Sequence, residues 1–92
     1  MTTYYIYILC SQKDGKLYIG YTDDLKRRLK RHRGGFVRAT KNRRPLSLIH
    51  FEGFAHRNDA KRREMFLKGG NGRKELKVLL KNIFDRVKYK YR

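Results

Sequence analysis

The sequence predicts an α+β fold whose elements run in the order ββαβαα. Two runs of β-branched and aromatic residues, over 4–10 and 17–21, flank a turn sequence as in a β-hairpin. Two later segments end at paired glycines, and a third carries apolar residues at helical spacing. A partly alternating segment over about 46–53 predicts a third strand between the helices, which completes a mixed arrangement of sheet and helices.

The hairpin is indicated by its connecting segment. Asp14-Gly15 lies between the two runs, and this pair is favoured in tight turns because the turn needs positive φ angles. Gly20 interrupts the second strand. A glycine inside a strand indicates a bulge or a close approach by another backbone or a phosphate.

The first helix is predicted to begin near Asp23, with Thr22 or Asp23 as its cap. Leu25 and Leu29 are four apart and are expected to face the core. The helix should stop before the glycines at 34–35, because glycine favours the left-handed backbone found just past helix ends. Residues 34–45 are polar and basic and are predicted to form an exposed loop.

Two more helices follow the third strand. One is expected over about 58–68, capped by Asn58 or Asp59 and ended by the glycines at 69–70. The next is expected to begin at Asn71 or Gly72. Its leucines and isoleucine over 76–83 recur at i, i+3, i+4 and i+7, with lysines on the opposite face.

The composition favours a polyanionic partner. The chain has 92 residues, and its 25 Lys and Arg against 8 Asp and Glu give a formal charge of +17. Nucleic acid is the favoured partner for so basic a chain, with DNA preferred to RNA. We expect one domain over 1–92 and a monomer, and the basic tail over 85–92 is compatible with disorder.

Membrane insertion and secretion are not expected. The sequence has no apolar run near the ~20 residues that a membrane-spanning helix needs, and its N-terminus lacks a charged leader. Cys10 is the single cysteine, so an internal disulfide is excluded, and we expect a buried structural thiol. A reduced, cytoplasmic protein is the simplest expectation.

Five residues form a candidate site. Tyr7 and Tyr18 lie on the two hairpin strands, Arg28 and His32 share one side of the first helix, and Glu64 lies on the second helix. Phosphodiester cleavage needs an activated water, neutralised charge on the phosphate and help for the leaving oxygen. An arginine can clamp phosphate oxygens, and Mg²⁺ accepts a single carboxylate with waters.

These residues also resemble a known family, the GIY-YIG nucleases. Tyr5-Ile6-Tyr7 and Tyr18-Ile19-Gly20 match its two motifs, although Tyr5 replaces the usual glycine, and the likeness covers residues 4–68. It is greatest to the small stand-alone bacterial proteins of this superfamily. Further residues that carry the resemblance are Asp14-Gly15, Thr22, Leu25, Arg28-Leu29, His32, Gly34, Thr40, Arg43-Arg44-Pro45 and Arg63-Glu64.

The resemblance implies a three-stranded antiparallel sheet flanked by about three helices. It implies an endonuclease or nickase, a phosphodiester hydrolase with weak sequence preference. Glu64 would hold one divalent metal, Mg²⁺ or Mn²⁺, and Arg28 would contact phosphate. Larger relatives carry a DNA-recognition domain that is absent here, which leaves room for a protein partner that supplies specificity. The alternative is a non-catalytic nucleic-acid-binding module.

Simpler interpretations compete at each position. The tyrosines could be core aromatics, His32 could interact with the helix dipole, and Glu64 could pair with Lys68. Which of Tyr7, Tyr18 and His32 takes the proton stays open. The basic residues that we expect to contact the nucleic-acid backbone are Arg27, Arg31, Arg38, Lys41, Arg43, Arg44 and Lys61.

Overall fold

A computed structural model describes residues 1–87, and it confirms the α+β class. Four α-helices are present among these residues, where about three were expected, because the last predicted helix breaks at Leu80 and resumes as a short turn. Residues 88–92, most of the tail for which disorder was considered, lie outside the described part. The elements are β1 Tyr4–Ser11, β2 Leu17–Thr22, α1 Leu25–Arg33, a 3₁₀ turn Lys41–Arg43, β3 Leu46–Phe54, α2 Arg57–Lys68, α3 Gly70–Leu79 and α4 Lys81–Phe84.

The three strands form one antiparallel sheet in the order β2-β1-β3, as the resemblance implied. The predicted turn connects β1 and β2. Gly15 adopts a φ of 71°, and the Lys16 amide donates to Asp14 Oδ1 over 2.9 Å. The pairing of β1 with β3 is irregular between Ile8 and Leu9. Because β1 pairs with both β2 and β3, it is the central strand, and the rest of the molecule packs against its two faces.

One face of the sheet carries the hydrophobic core. Ile6, Ile8 and Cys10 of β1 and Ile19 of β2 lie in one buried cluster, so Cys10 is buried as expected. Helices α2, α3 and α4, with the residue between the last two, complete this cluster through Ala60, Leu67, Leu76, Leu80 and Phe84.

The alternate residues of β1 face α1 and the segment that precedes β3. Tyr7 bonds to His32 of α1, and the Ser11 hydroxyl donates to the Arg43 carbonyl over 2.6 Å. The segment over 34–45 is not the fully exposed loop that was predicted, because Val37 and Thr40 are buried. Its basic side chains suggested exposure, while these two residues pack beneath it.

The first helix differs from its prediction in two respects. Asp24 caps it by accepting a hydrogen bond from the Arg27 amide over 3.1 Å, in place of Thr22 or Asp23. Leu25 and Leu29 are only half buried and do not join the main core cluster. The one buried residue of α1 is His32, so a polar side chain takes the place that an apolar one was expected to hold.

The first two helices after β3 begin one or two residues earlier than predicted. α2 is capped by His56, whose Nδ1 accepts from the Asn58 amide over 3.1 Å, so neither Asn58 nor Asp59 is the cap. α3 begins at Gly70 directly after Gly69. Within the described residues, none of these helices is both long and apolar enough to cross a membrane.

Candidate active site

The two motif tyrosines lie on the same face of the hairpin, but they are not direct cross-strand partners. Tyr7 pairs with Gly20, and Tyr18 pairs with Leu9, which makes the tyrosines diagonal neighbours across β1 and β2. Their ring centroids are 6.2 Å apart. Tyr7 is fully buried and Tyr18 is partly exposed, so only Tyr18 presents surface to solvent.

Arg28 and His32 both reach the hydroxyl of Tyr7. The Nε of Arg28 donates to this oxygen over 3.2 Å, and His32 Nε2 lies 2.8 Å from it. The ring of Tyr18 packs edge-on against His32, with 5.1 Å between the centroids. The sequence-predicted tyrosines, arginine and histidine thus form one connected group on β1, β2 and α1.

The histidine is held from its other side by Thr40, a residue that the candidate site had not included. His32 Nδ1 and Thr40 Oγ1 are 2.7 Å apart, and both side chains are buried. The Tyr7 oxygen already accepts a hydrogen bond from Arg28, so we assign the Tyr7 hydroxyl as the donor to His32 Nε2. His32 then carries its proton on Nδ1 and donates it to Thr40 Oγ1. The only sequence signal for Thr40 was its place in the family resemblance.

Burial shifts the protonation equilibria of this group. Desolvation raises the pKa of Tyr7 to about 12, against the opposing effect of the Arg28 hydrogen bond and with a smaller raising effect from Tyr18. Desolvation, helped by the positive charge of Arg28, lowers the pKa of His32 to about 4. Tyr7 is therefore protonated and His32 neutral near pH 7, while Arg28 keeps its charge.

Glu64 occupies a half-buried position on α2. Its Oε2 accepts from Lys68 Nζ over 3.1 Å, the i, i+4 pairing that had been the simpler interpretation of this residue. Among residues 1–87, no hydrogen bond links Glu64 to the tyrosine–histidine group, and no cluster of three potential metal ligands occurs. Mg²⁺ retains several waters and accepts one carboxylate, so a single glutamate fits such an ion but does not enclose it.

Two open clefts meet at Arg28. One has a volume of about 210 Å³ and is bordered by Arg27, Arg28 and Arg31 of α1. The other, of about 360 Å³, is bordered by Arg28 together with Arg57 and Lys61 of α2. Lys61 also lies over the ring of Tyr21, 5.4 Å from its centroid. These clefts give Arg28 access to a ligand from solvent.

The remaining predicted contacts differ in their surroundings. Arg38 and Lys41 are exposed, whereas Arg43 is bound to Asp14 over 2.9 Å and is largely covered. Arg44 is exposed, but its guanidinium donates to the backbone carbonyls of Lys41 and Arg33. Arg43 thus fastens the segment before β3 to the hairpin turn, which the count of basic residues could not reveal.

Relatives of known sequence resemble the chain over most of its length. The chain is 39% identical over 80 residues to a UPF0213 protein of Staphylococcus saprophyticus, which covers 86% of this chain and 96% of the relative. It is 41% identical over 93 residues to the UPF0213 protein YsiG of Lactococcus lactis, covering 99% of this chain and 86% of that one.

A solved structure supports the same fold. The solution NMR structure of a UPF0213 protein from Bacillus halodurans matches with a TM-score of 0.53 and 36% identity, and the match covers 84% of each chain. The family model described as the GIY-YIG catalytic domain matches residues 3–77, which contain all five candidate site residues. That domain indicates a nuclease-type function with a nucleic-acid substrate. The chain therefore belongs to the GIY-YIG family, as its two tyrosine motifs had suggested.

Proposed function

We propose that this protein is a metal-dependent DNA endonuclease or nickase with weak sequence preference. The observation that carries the proposal is the position of Arg28, which lies at the junction of two open clefts. The buried Tyr7, itself bonded to His32, holds Arg28 Nε from behind. A charged side chain fixed in this way is prepared to receive a phosphate before the substrate arrives.

Arg28 would act as the phosphate clamp. Its Nε is committed to Tyr7, and within residues 1–87 it forms no ion pair with a carboxylate. The two terminal nitrogens can therefore donate to two phosphate oxygens from the planar guanidinium fork. Lysine could not reproduce this arrangement, because it has a single ammonium and no second nitrogen to bind Tyr7.

The two tyrosines would have different roles. Tyr18 is partly exposed and can contact the attacking water, which makes it the better placed proton acceptor. Tyr7 is fully buried, and its raised pKa keeps it neutral, so it would position Arg28 and His32 and would not meet the substrate. Tyr18 would release its own hydroxyl proton to solvent as it accepts the proton of the attacking water, and the positive charge of Arg28 nearby favours this transfer.

Glu64 would hold the metal ion. When bound, Mg²⁺ or Mn²⁺ would neutralise charge on the phosphate and on the leaving oxygen. Glu64 must first release Lys68, and the exchange is inexpensive because the lysine side chain is half exposed. The fit of one carboxylate to a water-rich ion supports a one-metal site and argues against a two-metal one.

The substrate would be bound chiefly through its backbone. Contacts from Arg27, Arg31 and Lys61 to phosphates add affinity but carry no sequence information, which accounts for weak sequence preference. A partner protein could then direct the enzyme to its sites. The formal charge of +17 favours DNA binding that weakens steeply as the salt concentration rises.

Nicking of supercoiled plasmid with Mg²⁺ or Mn²⁺ tests the proposal. Wild type should convert supercoiled to open-circular DNA, and chelator or Glu64→Gln should abolish the conversion. The matched control is Asp59→Asn, which removes an exposed carboxylate from the same helix and should leave the rate unchanged. Arg28→Lys should lower the rate by about 10²–10³, as for other lost transition-state donors. An inert wild type, or cutting that survives Glu64→Gln, would rule the mechanism out.

A second candidate is a binding module that does not cut. The observation in its favour is the pairing of Glu64 with Lys68, which satisfies the carboxylate without a metal. This function predicts tight, salt-sensitive binding of plasmid DNA that is identical in wild type and Glu64→Gln and is indifferent to chelator. The same protein preparations used for the nicking assay distinguish the two functions.

A further inference from the structure

A third basic cavity lies at the C-terminal end of α1, away from the clefts around Arg28. It is open, has a volume of about 620 Å³, and is bordered by Arg33 at the end of α1 and by Lys13 of the hairpin turn. Lys41 and Arg44 border it from the segment before β3, and no carboxylate of the described residues lines it. Four cations thus converge from three separate parts of the chain.

None of these four charges is compensated by a carboxylate within residues 1–87. Asp14 follows Lys13 directly, but its carboxylate is bound to Arg43 over 2.9 Å. The mutual repulsion of cations around a concave surface creates a positive potential there, and an anion relieves it. The cavity therefore favours an anionic ligand.

Backbone contacts fix two of the four cations, Arg44 and Lys13, before any ligand binds. Arg44 donates from Nε to the Lys41 carbonyl over 3.0 Å and from Nη1 to the Arg33 carbonyl over 3.1 Å. Lys13 Nζ donates to the Asn42 carbonyl over 3.1 Å. Gly35 admits the Arg44 guanidinium, since a Cβ at position 35 would lie 2.9 Å from its central carbon. Such preorganisation lowers the entropy lost on binding.

We propose that this cavity is a second phosphate-binding site, which holds the backbone of the same DNA that Arg28 engages. The inference deepens the proposed function and rests on it. Arg33 is five residues beyond Arg28, a rise of about 7.5 Å along the helix axis. Both sites therefore border α1, and a nucleic-acid backbone that follows this helix would pass from one to the other.

Salt-dependent DNA binding provides the test. The affinity for a labelled duplex is measured in chelator, so that no cutting occurs, over a range of KCl concentrations. The double variant Lys13→Gln/Arg33→Gln should lower the slope of log affinity against log salt by about 1.8, since each lost phosphate contact contributes about 0.9. The control is Lys74→Gln/Lys77→Gln, which removes two exposed charges from α3 on the opposite face of the sheet. Neither lysine forms an ion pair within residues 1–87.

The outcomes separate this inference from the nuclease proposal. Equal slopes for the two double variants would overturn the second site, whether or not the protein cuts DNA. If the two double variants differ in slope as expected but the wild type never nicks plasmid, the nuclease proposal is overturned and the second site stands. Competition arms use inorganic phosphate, a nucleoside triphosphate and duplex RNA. If millimolar phosphate or triphosphate alone displaces the DNA, the cavity binds small anions and is not a site for the DNA backbone.

Discussion

The ring of Tyr7 lies across the backbone of Gly20, its direct partner on β2. A Cβ at position 20 would lie 2.4 Å from the phenol oxygen and from the carbon that bears it. Atoms of folded proteins do not approach so closely, so only glycine permits this position of the ring. The close approach predicted from Gly20 is confirmed, but it is made by a side chain and not by a backbone or a phosphate.

Gly20→Ala should therefore displace Tyr7 and disturb Arg28 and His32 with it. We expect the free energy of unfolding to fall by about 1–3 kcal/mol, as for other overpacked interiors, and plasmid nicking to fall as well. Urea denaturation measures the first effect. The control is Gly70→Ala, because a Cβ at Gly70 has no neighbouring atom within 4 Å. Equal destabilisation by both substitutions would show that the Tyr7 contact is unimportant.

Thr40→Val removes the hydroxyl that His32 contacts and leaves a buried ring nitrogen without a partner. The expected loss of stability is about 1–3 kcal/mol. Thr40→Ser keeps the hydroxyl and should restore the orientation of the imidazole, although it loses a methyl group. The nitrogen-15 resonance of His32 Nδ1 reports this hydrogen bond, and we expect it to shift in Thr40→Val but not in Thr40→Ser. An unchanged spectrum in Thr40→Val would exclude the positioning role.

The low pKa of His32 predicts a specific loss of stability in weak acid. The unfolded chain binds a proton at this residue below about pH 6.5, whereas the folded chain binds it only near pH 4. Stability should thus be fully present above pH 6.5 and fall as the pH drops toward 4, because the unfolded state then binds more protons. The contribution is on the order of 3 kcal/mol from this shift. Urea denaturation at pH 7 and pH 5 measures it, and a His32→Gln variant should show a smaller difference between the two values.

Arg63 connects the sheet to two helices. Its Nε lies 2.9 Å from Glu52 Oε1 of β3, and its Nη1 lies 2.6 Å from Glu75 Oε2 of α3. Arg63→Met should lower the midpoint of urea denaturation, at a cost of about 1–3 kcal/mol. Glu52 then loses both hydrogen bonds from Arg63 and keeps its contact with His50. Arg62→Met is the matched control, because Arg62 is 76% exposed and its pair with Asp59 is long. Similar midpoints for both variants would contradict this assignment.

Local patterns predicted the parts of the fold that depend on local chemistry. The turn at Asp14-Gly15 and the third strand agree with expectation to within a residue or two, because turn residues and alternation act over a few positions. The predicted helix caps lie one to three residues from the observed ones. Asp24 and Asp23 offer the same side chain, and the sequence alone does not show which one adopts the capping geometry.

Contacts between distant segments were the part that local patterns did not reveal. Thr40 belongs to a basic stretch that favours an exposed loop, and its contact with His32 depends on how that segment folds back over the sheet. Glu64 shows the opposite case, since the pairing with Lys68 was foreseen from spacing alone and is present. Its role as a metal ligand stays a prediction, which the nicking assay addresses.

The burial of His32 has a consequence for the mobility of α1. This helix has no other buried residue, and it is bonded to the sheet through Tyr7, which contacts both His32 and Arg28. His32 also contacts Thr40 in the segment before β3. Segments with few buried contacts open at a lower free energy than the rest of a protein. The amides of α1 should therefore exchange with solvent faster than those of β1. Substitutions that remove the Tyr7–His32 or His32–Thr40 contact should increase this exchange rate further. In this molecule the side chains proposed to serve chemistry would also set the free energy of local opening of α1.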